Sequence, residues 1–196
     1  MESFEIAVRQ MMLYSFPLLL TLTTVPVLEA YVLKRKPSLM WQGAWLPFMV
    51  SILFSRAVIM GLPKPQGFGL YAAFLRLTIH AGLCFIGFLL YTWALQHASP
   101  AGLPPLHHWW AKVLMYLNLC LMGLHLLPLP SMVVGELILL VKPLRPFAPW
   151  LRSRQLFLLI PILLLVVTPL LDMFLGGAVI FPVYELLASL ATQSIP

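Results

Sequence analysis

Residues 117–140 read LNLCLMGLHLLPLPSMVVGELILL. The stretch is apolar almost throughout, yet Pro128 and Pro130 interrupt it at the depth where a membrane helix should be continuous. Gly135 and Glu136 follow, placing a carboxylate in lipid-like surroundings. Proline removes a backbone N–H and clashes with the preceding turn. Inside a membrane such a break is tolerated only where protein or water satisfies the freed groups. The stretch therefore predicts a helix ending near Leu127, a short apolar segment over 131–141, and a carboxylate that needs a partner.

The rest of the chain supports a membrane setting. Of its 196 residues 61% are hydrophobic and only 9% charged, and the mean hydropathy is +0.96. A soluble domain carries about a quarter charged residues. The length suits a single membrane domain, 1–196, of about five spans at roughly 20 residues each. The apolar runs fall at about 11–32, 41–61, 72–96, 109–127 and 155–176. The final PVYELLASL is read as an interfacial helix. Tryptophans gather near run ends, the aromatic-belt pattern. Pro17, Pro26, Pro161 and Pro169 lie inside runs and predict kinks. The formal charge of +6 comes mostly from residues at run ends. It is read as topology and anchoring, not nucleic-acid binding, with a weak bias towards an inside N-terminus. The acidic start of MESFEIAVRQ argues against a cleaved signal peptide, so the first helix is expected to stay. Cys84 and Cys120 read as small buried hydrophobes.

Asn118-Leu119 followed by Leu126-Leu127-Pro128-Leu129-Pro130 resembles the third core helix of the site-2 proteases, the intramembrane zinc metalloproteases. Their pattern is roughly N-L-x-L-x-x-x-N-L-L-P-x-P-P-L-D-G. Here His125 stands for the second Asn, Ser131 for a Pro, Met132 for a Leu, Val133 for the zinc-binding Asp and Val134 for the first Gly. The basic linker KPLRPFAPWLRSRQ, the Leu/Ile-rich span after it and the closing helix resemble the short bacterial branch. The likeness covers about 41–192 and is weakest over 50–90. It implies a bacterial inner-membrane protein: all-α, about five transmembrane helices with a broken fourth and a C-terminal interfacial helix, around a site-2-protease-like core.

The same alignment implies lost chemistry. Zinc proteolysis needs three protein ligands and a Glu to activate water. The aligned positions hold Phe54 and Val58 for the two His, Ser55 for the Glu, and Val133 for the Asp, so this is a degenerate metal site. The chain contains no H-E-x-x-H. The expectation is a pseudoprotease without a cofactor. In the family the segments bearing Arg56 and Glu136 face each other across the metal, so these two residues are expected to form a structural ion pair.

Other candidates come from residue type. His80 and His125 lie on neighbouring core helices and could ligate a haem or a metal, or each could bond a backbone carbonyl. His97, His107 and His108 read as loop residues. Glu29 and Asp172 read as interfacial acids. Lys142, Arg145, Arg152 and Arg154 form a basic connector expected to face anionic lipid. The functional expectation is a catalytically inactive accessory subunit or scaffold that binds other integral membrane proteins in a hetero-oligomeric complex. The alternative is an electron-transfer subunit using His80 and His125.

Overall fold

The computed structural model describes residues 2–37, 45–61, 65–97, 105–153 and 155–193. The described residues form eight α-helices: α1 Glu2–Val32, α2 Trp45–Leu53, α3 Leu70–Gln96, α4 Leu106–Leu124, α5 Val133–Leu140, α6 Ala148–Ser153, α7 Gln155–Val167 and α8 Phe181–Gln193. A 3₁₀ turn at Arg145–Phe147 leads into α6, and a π-helical segment at Asp172–Ile180 leads into α8. This arrangement follows from composition. In an apolar solvent each backbone group must be satisfied within its own segment, which favours helix.

Among the described residues, three helices are long and apolar enough to cross a membrane: Phe4–Val32, Leu70–Gln96 and the continuous rod Asp172–Gln193. These indicate an integral membrane protein. About five spans were expected, and the difference has local causes. α2 has nine residues and α7 thirteen. The apolar run over 155–176 is cut at Thr168–Pro169, after which the chain starts a new helix. The closing segment, expected to lie in the interface, joins the π-helical residues into a 22-residue rod. Pro17 and Pro26 sit within α1, which stays helical through both.

α4 is the centre of the bundle. It packs on α1, α3 and the π-helical segment. Leu114, Met115, Leu117, Leu119, Cys120 and Leu121 are all buried on it. α3 and α4 approach closely because of Gly87. A Cβ there would lie 2.5 Å from the backbone nitrogen of Met115, so only glycine lets the two backbones meet this way. Cys84 and Cys120 are free and buried, as their apolar neighbours predict.

Candidate functional site

The proline break is a built structure. α4 ends at Leu124, and successive N–H groups of His125, Leu126 and Leu127 bond back three residues, to Met122, Gly123 and Leu124. The loop closes where Val134 N–H donates to the His125 carbonyl at 3.1 Å. Ser131 takes φ +74°, the left-handed region. Gly135 is obligatory because a Cβ there would fall 1.8 Å from the Leu129 carbonyl oxygen.

Ser131 joins two ion pairs, one buried and one half-buried, through its backbone. Its N–H donates to Glu136 Oε1 at 3.0 Å, and its carbonyl accepts from Arg76. Glu136, on α5, pairs with Arg152 on α6. Arg76, on α3, pairs with Glu29 on α1 and also donates to the Gly67 carbonyl at 3.0 Å. Glu29 accepts from the N–H groups of Gln66 at 3.0 Å and Gly67 at 3.1 Å. Two acids and two arginines from four helices thus alternate around one strained residue. A buried charge without a partner is very costly, and a buried pair holds only when its remaining hydrogen bonds are met. Here the carboxylates are neutralised and bonded, so the cluster ties the helices together and leaves no free carboxylate in it to activate water.

Several expected sites fall elsewhere. Arg56 and Glu136 do not pair. Arg56 instead donates to the carbonyls of Val166, at 2.9 Å, and Val167, which are orphan acceptors at the end of α7. Asp172, expected at the interface, accepts from the N–H of Val58 at 2.9 Å and of Ala57 at 3.3 Å. Tyr116 on α4 donates to the Ala57 carbonyl. The Phe54–Val58 segment is therefore a turn clamped by α4, α7 and the π-helical segment. Phe54 is exposed, Ser55 has φ +52°, and Val58 is buried near Gly176. Val133 begins α5, which packs on α3. Glu29, also expected at the interface, is fully buried. Its partner Arg76 lies 47 positions along the chain, a separation that leaves no local signal to find the pair by.

His80 and His125 do come together, with ring centroids 6.1 Å apart and planes at 60°. His80 Nδ1 lies 2.9 Å from Asn118 Oδ1. The Asn118 amide donates to Thr21 Oγ1 and to the Leu114 carbonyl, both at 3.0 Å. With that amide so oriented, its oxygen accepts and His80 Nδ1 is the donor. His125 Nδ1 is buried with no partner among the described residues. The cavity bounded by the two rings, Arg76, Ser131 and Met132 is about 20 Å³. That volume holds one water and is far short of a porphyrin. No group of three or more His, Cys, Asp or Glu placed to hold a metal occurs among the described residues.

The basic connector divides. Lys142 and Arg145 are exposed, Arg152 turns inward to Glu136, and Arg154 lies outside the described residues. Arg152 is thus a partner of Glu136, with its side chain half-buried. The loop histidines also differ from expectation. His107 and His108 begin α4, and His108 is buried edge-on to Tyr91 at 5.2 Å.

No protein-family profile, curated protein or solved structure matches the chain. The likeness to site-2 proteases therefore rests on the residues themselves, the 118–130 motif and the 142–190 segment. Two local features depart from what that likeness implies. The positions aligned with H-E-x-x-H lie beyond the end of α2 and form a turn, not a helical face. Ser131, aligned with a proline, holds a positive φ that proline cannot adopt.

Proposed function

We propose that the chain is a non-catalytic helical subunit of the bacterial inner membrane, with a degenerate site-2-protease-like core, that docks transmembrane segments of other membrane proteins. The observation that carries this reading is a pair of open notches on exposed apolar helix surfaces. Tyr71, Phe74, Phe85, Ile86, Leu89 and Trp93 form an exposed apolar stripe along α3. Gly82 lies within that stripe, with nothing within 4 Å of the position a Cβ would take. On the C-terminal rod Gly177 is similarly open, its nearest atom 3.9 Å away, and is followed by exposed Ala178. Small residues on a lipid-exposed face let a second helix approach closely, which drives association where the hydrophobic effect cannot. The charge cluster, whose two carboxylates are both paired and hydrogen-bonded, supports the non-catalytic part of the reading.

The test is to tag the full chain, extract it in mild detergent and identify stoichiometric companions by mass spectrometry. Companions should be present and should be lost in Gly82→Leu or Gly177→Leu, with the thermal midpoint unchanged. A solitary protein, or companions indifferent to both substitutions, would remove the reading.

A further inference from the structure

His80 on α3 and His125 at the end of α4 are both buried and line one cavity of about 20 Å³. His80 is arranged as a ligand. Its Nδ1 is held by Asn118 Oδ1 at 2.9 Å, and Asn118 is itself fixed by Thr21 and by the Leu114 carbonyl. A donated Nδ1–H leaves the lone pair on Nε2, and this is how outer partners orient a metal-bound histidine. His125 is only 4% exposed, and its Nδ1 is buried without a partner among the described residues. Buried polar atoms are normally hydrogen-bonded, so an orphaned one calls for a reason.

Met132 lines the same cavity. It caps the start of α5 on the far side of the proline loop, whose ends are joined by the Val134 N–H bond to the His125 carbonyl. Met132 is half-buried and the other residues around the cavity are buried, so it marks the way in. No carboxylate or thiol lines the cavity. The donors there are two imidazoles and a thioether, all neutral. The charges of Glu29, Arg76, Glu136 and Arg152 already cancel in pairs. A divalent ion would therefore bring two uncompensated charges into an apolar interior, whose cost is steep. Imidazole nitrogen with thioether sulfur is a soft donor set, suited to monovalent copper. Two imidazoles that each hold a metal at about 2 Å put their ring centres roughly 6 Å apart when the bonds are nearly in line. The centres here are 6.1 Å apart.

We infer that this cavity binds one Cu(I) ion, held by His80 through Nε2, by the unpartnered His125 imidazole and by the Met132 thioether. The ion pins the break between α4 and α5 to α3. The site needs no protein partner and stands or falls separately from helix docking.

The test is anaerobic titration of the full chain in detergent with Cu(I), against a chromogenic Cu(I) chelator as competitor, followed by X-ray absorption of the bound copper. The expected result is one Cu(I) per chain with nitrogen and sulfur neighbours, and a thermal midpoint raised by copper. His125→Leu fills similar space without a donor atom. It should weaken binding at least about ten-fold, the loss that even an outer-shell substitution brings. Met132→Leu keeps the side-chain volume, should weaken binding likewise, and decides the matter alone if His125→Leu does not fold. His97→Ala combined with His107→Ala, two exposed histidines, should leave the affinity unchanged. Failure to retain copper, a copper shell without sulfur, copper lost in the His97/His107 variant, or unchanged affinity in His125→Leu and Met132→Leu would overturn the inference. Tighter retention of Zn(II) than of Cu(I) would also overturn it.

Discussion

Ser131 holds its left-handed backbone between a buried and a half-buried ion pair, and both its N–H and its carbonyl are used. Ser131→Pro removes the donor to Glu136 and demands a φ near −65°. The expected loss is several kcal/mol, about 3 or more, seen as a large fall in the thermal midpoint in detergent. A well-folded Ser131→Pro would instead mean that the loop has the proline-bearing form of the site-2 proteases. Arg76→Met leaves Glu29 buried and unpaired, and breaking such a pair costs about 3–5 kcal/mol. Glu29→Gln combined with Arg76→Met should recover part of that loss. A double variant no more stable than Arg76→Met would show that the two residues are not coupled. At this scale the sequence marked Glu136 as a carboxylate needing a partner but pointed to the wrong arginine. Arg56 and Arg152 both lie in or beside apolar segments, and residue type does not say which one the chain folds inward.

Among the elements, the break between α4 and α5 could be read directly, because proline acts on its own neighbours through covalent geometry. The extent of α7 and of the C-terminal rod could not. One apolar run, 155–176, covers α7 and the start of the rod, and its division at Thr168–Pro169 is supported from a distance. Arg56 bonds the last carbonyls of α7, and Asp172 holds the turn that carries Arg56. Arg56→Gln removes a charged donor from that helix end. It should lower stability by about 1–3 kcal/mol, the worth of a hydrogen bond from a charged group, read from the thermal midpoint. A neutral result would show that solvent satisfies those carbonyls. Gly87→Ala places a Cβ against the α4 backbone and should cost about 1–3 kcal/mol through overpacking. Gly82→Ala on the open face of the same helix should be close to neutral, and the two glycines look alike in sequence.

For the whole molecule, composition already requires a membrane, and three helices meet the length and hydropathy of a span. The full chain should therefore stay in the membrane pellet after alkaline carbonate extraction. Release into the supernatant would contradict an integral protein. Helical class, membrane setting, buried cysteines and the proline break were legible from residue order alone, because each arises from local chemistry or from the bulk balance of apolar and charged side chains. The pairing of Glu29 with Arg76, the inward turn of Arg152, the meeting of His80 with His125 and the clamped Phe54–Val58 turn all join segments far apart in the chain. These were settled by packing around α4, since a charge buried in an apolar interior pairs with whichever partner the fold brings within hydrogen-bond reach, however distant in sequence.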